Sequence, residues 1–186
     1  MRRVLGVVGS PRRGGNTHLL VEHVLEGARQ AGAQTGVLLL ADLIVRDCDG
    51  CHACWRGKPC SKRDDMAELY PRIAAADALV FGTPVYWYGP TALMKAFLDR
   101  FVYFNCPEHR PAVRGKAAAL AVPFEEDGPQ TAELVVEMFA RSLRYLEMRL
   151  VGQVLAPGVG EMGEVLHRPD VLQHGVDLGR HLARGM

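Results

Sequence analysis

Short apolar runs alternate with longer amphipathic stretches along this chain. Five continuous apolar runs predict buried β-strands: Val4–Val8, Thr35–Ala41, Ala78–Gly82, Lys116–Val122 and Leu150–Ala156. The stretches between them repeat apolar residues at helical spacing and predict α-helices over about Thr17–Ala31, Asp64–Ala76, Pro90–Phe104, Gln130–Leu146 and Pro169–Ala183. Strands that are apolar throughout are typical of a parallel sheet covered on both faces.

Strands that alternate with helices predict a doubly wound α/β fold with right-handed crossovers. We expect a three-layer sandwich, a five-stranded parallel sheet with helices on both faces. The length of 186 residues predicts that residues 1–186 form a single domain. In such folds ligands bind at the carboxyl ends of the strands. The loops of interest are therefore Gly9–Asn16, Asp42–Arg63, Thr83–Gly89 and Pro123–Pro129.

Composition narrows the class of protein. The 22 Lys and Arg against 21 Asp and Glu leave a net charge of +1, which argues against a nucleic-acid binder. No apolar run approaches the roughly 18 residues of a membrane span, and the apolar stretch after Arg3 is too short for a signal peptide. Five cysteines, four of them in one segment, suit a reducing compartment. We expect a cytoplasmic protein that binds neither nucleic acid nor membrane.

The loop after the first strand has the chemistry of a phosphate site. Glycines let the backbone curl, hydroxyl, amide and guanidinium groups supply donors, and a helix N-terminus follows in the sequence Gly9-Ser10-Pro11-Arg12-Arg13-Gly14-Gly15-Asn16-Thr17. The loop lacks the lysine of a Walker loop and the glycine spacing of a dinucleotide fingerprint. A mononucleotide fits it better. The alternative is a polar turn capped by Thr17.

The loop after the third strand carries three adjacent aromatic residues, Tyr86-Trp87-Tyr88. They could pack into the core or an oligomer interface, or they could line a slot for a flat ring. A phosphate loop after strand one and a planar-ring loop after strand three together indicate FMN bound as in flavodoxin.

The same residues resemble a known family. The segments Gly9-Ser10-Pro11-Arg12, Gly15-Asn16-Thr17 and Gly82-Thr83-Pro84-Val85-Tyr86-Trp87, followed by Lys95 and Asp99-Arg100, look like those of the NADPH-dependent FMN reductase family. The resemblance implies a flavodoxin-like fold, FMN, oxidation of NAD(P)H, and a homodimer or homotetramer.

The resemblance also implies roles for individual residues. The phosphate of FMN would be held by Ser10, Arg12, Asn16 and Thr17, and its isoalloxazine by Pro84, Val85, Tyr86 and Trp87. Lys95, Asp99 and Arg100 would be structural or interface residues. The chain departs from the family after the fourth strand, where Pro123-Phe124-Glu125-Glu126-Asp127-Gly128 replaces a glycine-rich turn and leaves the third flavin contact open.

Four cysteines, Cys48, Cys51, Cys54 and Cys60, lie within 13 residues. Four thiolates are what a [4Fe–4S] cluster or a structural zinc ion requires. Their spacing resembles that of the iron–sulfur flavoproteins, a branch of the same family. The alternative is that the cysteines are packing or redox-sensitive thiols without metal. Cys106 is expected to be an ordinary packed thiol.

These observations support three hypotheses. The first is an FMN-dependent enzyme that passes electrons from NAD(P)H to a quinone, flavin or other small acceptor. The second is an iron–sulfur flavoprotein that takes electrons from a ferredoxin-type partner through a [4Fe–4S] cluster and FMN. The third is a thiol-based redox sensor. Because the cofactor carries the chemistry, no side chain is assigned as a catalytic acid or base.

Overall fold

Five strands form one all-parallel sheet in the computed structural model, which describes residues 1–185. The sheet order is β2-β1-β3-β4-β5. The strands are β1 Arg3–Val8, β2 Gln34–Leu39, β3 Ala78–Gly82, β4 Ala117–Pro123 and β5 Arg149–Ala156. This strand order is that of flavodoxin-like proteins, with the switch point between β1 and β3. The predicted fold class is confirmed.

Helices cover both faces of the sheet, which gives the predicted three layers. They are α1 Asn16–Gln30, α2 Met66–Ala75, α3 Ala92–Asp99, α4 Val102–Asn105, α5 Glu133–Tyr145 and α6 Pro169–Arg184. On one face α1 and α6 pack on β-strand residues such as Val4 and Val80. On the other, α2, α3 and α5 pack on residues such as Leu79 and Phe81. Successive strand side chains point to opposite faces, so continuous apolar runs are required.

The predicted helix Pro90–Phe104 is wrong at both its start and its middle. Thr91 is the N-cap, and its hydroxyl accepts a hydrogen bond of 3.2 Å from the backbone N–H of Met94, so the helix begins at Ala92 rather than at Pro90. The helix then ends at Asp99 and resumes as α4 after Arg100 and Phe101. The break buries Arg100 in the molecule.

The acidic pair before α2, Asp64 and Asp65, hydrogen-bonds both to the start of the helix and to the chain near Ile44. We expected Asp64 and Asp65 to begin it, but the helix begins at Met66. Asp64 accepts a hydrogen bond of 3.2 Å from the N–H of Met66, while Asp65 accepts one of 2.7 Å from the N–H of Ile44. The pair therefore also holds the part of the chain that leads into the cysteine segment, residues 47–63.

Among residues 1–185, the helices are all too short or too polar to cross a bilayer.

Candidate functional site

The N-terminus of α1 faces a cleft at the carboxyl edge of the sheet. Gly15, which has no side chain to cap the helix, occupies the N-cap position, and the first turn holds no acidic residue. The N–H groups of that turn and its partial positive charge are therefore available to an anion. Ser10 and Thr17 are both buried and line the cleft.

Two predicted phosphate donors, Arg12 and Asn16, also hold the loop after β5, which was not predicted to be part of the site. The Arg12 guanidinium donates to the carbonyl oxygen of Gly160 at 3.0 Å, and the Asn16 amide donates to that of Glu161 at 2.8 Å. Val159 and Gly160 line the same cleft. The loop follows β5, so the rule that pointed to the ends of the first four strands would also have found this one.

The cleft brings together all the predicted flavin-binding residues except one. Its predicted lining residues are Ser10, Arg12, Asn16, Thr17, Pro84, Val85 and Tyr86. Trp87 lies outside the cleft lining and is 97% exposed. The segment at the end of β4, where the sequence departs from the family's glycine-rich turn, also lines the cleft, through Pro123, Phe124 and Glu125.

The aromatic loop ends in a tight turn with unusual backbone angles. Tyr86 and Gly89 exchange two backbone hydrogen bonds of 2.8 and 3.0 Å. Between them, Trp87 and Tyr88 have φ of 50° and 60°, the left-handed region of a type I′ turn. That region is costly for bulky side chains, by about 1–3 kcal/mol each. The turn presents both aromatic rings to solvent beside the cleft.

Two buried threonines, Thr83 and Thr91, fix the loops after β1 and β3 against each other. The Thr91 hydroxyl donates to the carbonyl oxygen of Gly9, and the Thr91 N–H donates to the Thr83 hydroxyl at 3.2 Å. Gly9 also sits so close to Met94 that a Cβ at Gly9 would clash with that side chain. The loop after β1, the loop after β3 and the start of α3 therefore form one rigid support.

The four clustered cysteines line a second cleft, together with Tyr70, Arg100 and Tyr103. All five cysteines of the chain are free thiols. Cys106 is buried, as expected, and its thiol donates to the carbonyl oxygen of Tyr103. Burial raises the pKa of the Cys54 thiol, and nearby cysteine thiols raise it further.

The buried guanidinium of Arg100 lines the cysteine cleft. Arg100 forms an ion pair with Asp64 through both of its terminal nitrogens, and one of them also lies 3.2 Å from Cys60 Sγ. Burial alone would lower the pKa of Arg100, but the hydrogen bond to Asp64 and the surrounding acidic groups together outweigh burial and raise it. By contrast, Lys95 and Asp99, predicted together with Arg100 as structural or interface residues, form an exposed ion pair of 2.6 Å.

The donor set of this cleft fits an iron–sulfur cluster in its chemistry. Four thiols share one cleft, and a buried guanidinium donates to one of their sulfur atoms, Cys60 Sγ. Within residues 1–185, however, no three His, Cys, Asp or Glu side chains form a group that could hold a metal ion. Binding a cluster would therefore require the segment to draw its sulfur atoms together.

The fold and the cleft at the switch point between β1 and β3 are those of the flavodoxin-like α/β class. Residues 2–158 match the family described as NADPH-dependent FMN reductase. The chain belongs to this family, and it is an FMN-dependent oxidoreductase.

Individual relatives extend the comparison. An iron–sulfur flavoprotein of Archaeoglobus fulgidus is 30% identical over 87% of this chain and 72% of its own. The Bacillus subtilis protein YwqN, which carries the name of an NAD(P)H-dependent FMN-containing oxidoreductase, is 25% identical over 88% of this chain and 89% of its own. The NAD(P)H:quinone oxidoreductase of Methanothermobacter marburgensis superposes with a TM-score of 0.75 at 20% identity, over 97% of this chain and 98% of its own. The structural likeness concerns the fold.

Proposed function

We propose that this oxidoreductase holds FMN in the cleft between the loops after β1 and β3, and a [4Fe–4S] cluster at Cys48, Cys51, Cys54 and Cys60. It would exchange electrons with a one-electron carrier of the ferredoxin type. The observation that carries the cluster is that all four thiols line one cleft. The resemblance to an iron–sulfur flavoprotein over most of the chain supports it. When bound, FMN supplies one- or two-electron chemistry and the cluster supplies one-electron chemistry.

The residues of the flavin cleft would divide between the two ends of FMN. Asn16 and Thr17 begin α1, and Ser10 and Arg12 lie in the loop before it, where charge and N–H donors favour the phosphate. Pro84, Val85 and Tyr86 line the other side and would contact the isoalloxazine. Trp87 could reach the ring only if the turn that carries it folds over the cleft. The assignment of Trp87 therefore remains a prediction.

An anaerobic spectrum with iron and sulfide analysis tests the cluster. We expect one FMN and about four irons per chain in the purified protein, because four thiolates hold one cubane cluster. Cys54→Ala should lose iron and keep FMN. The matched control is Cys106→Ala, which removes a thiol that does not line the cysteine cleft. Protein that binds FMN but takes up no iron, even after anaerobic reconstitution, would refute the cluster.

A second candidate function keeps FMN and dispenses with metal. In it, NAD(P)H delivers electrons and a quinone, free flavin or other small acceptor removes them. The similarity to YwqN favours it. Steady oxidation of NADPH with a soluble quinone by iron-free protein would support this candidate. A protein with neither iron nor turnover, whose conformation changes when its thiols are oxidised, would instead support the redox sensor.

We also infer that residues 1–186 form one domain that assembles as a homodimer or homotetramer. A groove of about 540 Å³ runs between α3–α4 and α5, and its lining includes Leu98, Val102 and Met138. The exposed Trp87 adds a second apolar surface. Such surfaces favour a protein partner. Light scattering during size-exclusion chromatography measures the assembly, and a single cooperative unfolding transition would agree with one domain.

A further inference from the structure

Arg100 is among the largest fully buried side chains in the described part of the chain. It follows α3 directly, at the break before α4. A buried charge is tolerated only when it is paired and hydrogen-bonded. The Asp64 carboxylate pairs with it, and both side chains are almost completely shielded from solvent.

The same guanidinium reaches both ends of the cysteine segment, residues 47–63. One terminal nitrogen donates to the carbonyl oxygen of Arg46 at 2.9 Å, just before the segment. The other donates to Cys60 Sγ at 3.2 Å, near its end. A planar guanidinium has five N–H donors in fixed directions, so it can serve a carboxylate, a carbonyl and a sulfur together. A lysine ammonium at the same place could not match this geometry.

The contact with sulfur is not needed to compensate the buried charge. Asp64 already neutralises Arg100, and it also accepts a hydrogen bond of 2.9 Å from the N–H of Arg46. The ion pair would therefore be satisfied without Cys60. Of the four clustered cysteines, Cys60 receives a hydrogen bond from this buried cation, which distinguishes it from Cys51, whose sulfur lies 3.2 Å from the Ser61 hydroxyl at the surface.

We propose that Arg100 is a positioning residue for Cys60: it holds this sulfur in the cleft as a cluster ligand and stabilises negative charge on it. The inference rests on the cluster proposed above. Reduction takes one electron from an external reductant and adds one negative charge to the group held by the cysteines, with no bond broken. A hydrogen bond donated to a ligand sulfur favours that reduced state and raises the reduction potential.

The test compares three variants of the full chain, purified without oxygen. Arg100→Lys keeps a cation for Asp64 and so protects the fold, but it removes the fork that reaches Cys60. Arg100→Gln removes the charge and provides a second variant. Lys95→Met is the matched control, because it removes an exposed cation from the adjacent helix without touching the cysteine cleft. Circular dichroism and bound FMN check that each variant is folded.

Two measurements report on Cys60 rather than on folding. The first is the rate at which a chelator removes iron, which we expect to rise at least tenfold in Arg100→Lys, as for other residues that support a metal ligand. The second is the midpoint potential in a dithionite titration. A tenfold loss of preference for the reduced state corresponds to a shift of about 59 mV to more negative potential for one electron. Lys95→Met should match the wild type in both.

The outcomes separate this inference from the proposed function. Wild-type iron retention and potential in both folded Arg100 variants would overturn the positioning role while leaving the cluster in place. A wild-type protein that never holds iron would instead overturn the cluster, and the positioning role with it. Faster iron loss together with a lower potential, in Arg100→Lys but not in Lys95→Met, would support the role.

Discussion

The side-chain amide of Asn16 donates a hydrogen bond of 2.8 Å to the carbonyl oxygen of Glu161, in the loop after β5. Its other amide hydrogen points to the carbonyl oxygen of Val159, and its oxygen accepts from the N–H of Val165 at 3.2 Å. The first residue of α1 is thus bound to the loop after β5 through all of its side-chain polar groups. A phosphate would have to compete with that loop for the Asn16 side chain.

Asn16 should therefore stabilise the fold as well as contribute to flavin binding. Asn16→Ala leaves the N–H of Val165 without its partner, and an unsatisfied polar group of this kind costs about 1–3 kcal/mol. We expect a loss of that size in the free energy of unfolding, measured by urea denaturation of the apoprotein. An unchanged urea midpoint would contradict a structural role for this side chain.

Arg12 should affect flavin binding with little effect on folding. It is exposed, and its bond to Gly160 is one that a phosphate can replace. A hydrogen bond to a charged group contributes about 1.5–3 kcal/mol, so Arg12→Ala should raise the Kd for FMN roughly tenfold or more. Flavin fluorescence quenching measures it. The neighbouring Arg13, which pairs with Asp42 and does not line the cleft, provides the control in Arg13→Ala.

The aromatic turn should be easy to stabilise. Trp87 and Tyr88 occupy two positions with positive φ, where Asn and Gly are preferred. Replacing both, Trp87→Asn with Tyr88→Gly, should stabilise the apoprotein by about 1–2 kcal/mol because the strain is relieved. The thermal midpoint measures this gain. Trp87→Phe retains the strain and should show no gain, and a double variant with the wild-type midpoint would argue against strain in the turn.

Lys116 should contribute to the stability of the fold. Its ammonium donates to the carbonyl oxygens of Ile73, Ala74 and Ala76 at the end of α2, where carbonyl groups lack helical partners. Lys116→Met should therefore lower the free energy of unfolding by about 1–3 kcal/mol. Lys95→Met, which breaks an exposed ion pair, should change it by less than about 1 kcal/mol. Equal effects of the two substitutions would show that α2 does not depend on this lysine.

Acid should release the cysteine segment through Asp64. Burial is the largest single influence and by itself would raise the pKa of this carboxyl. The hydrogen bond and charge of Arg100, together with the hydrogen bonds from the N–H groups of Arg46 and Met66, outweigh burial and hold the pKa below its usual value of 3.8. A lowered folded-state pKa gives stability that is fully present above the unfolded-state value and is lost as the pH falls through the folded-state value. We expect wild-type stability to fall progressively below about pH 4. Asp64→Asn, less stable at neutral pH, should show a weaker acid dependence when unfolding is followed from pH 6 to pH 2, and parallel curves for the two proteins would contradict this.

The order of elements was predictable because short apolar runs alternate with amphipathic stretches. The central strands β1, β3 and β4 are buried on both faces, and the edge strands β2 and β5 are partly buried. Ala78–Gly82 was predicted with the observed bounds, and the other strands differ by one or two residues at their ends. The place of the loop after β1 in the cleft was predictable because glycines, donors and a helix start are contiguous in the sequence. By contrast, Arg100 reads in the sequence as one more charge on an amphipathic helix. Nothing local shows that the helix breaks there and turns the guanidinium inward.

The sequence by itself determined the class of fold, the position of the loops that follow β1 and β3 and the cysteine spacing, because these depend on local periodicity and on residues close together in the chain. Only the tertiary structure decided which distant groups meet. It placed Glu161 against Asn16, Thr91 against Gly9, and Arg100 between Asp64 and Cys60. Such contacts satisfy polar groups that burial would otherwise leave unpaired, and burial is known only when the layers of the fold are packed together.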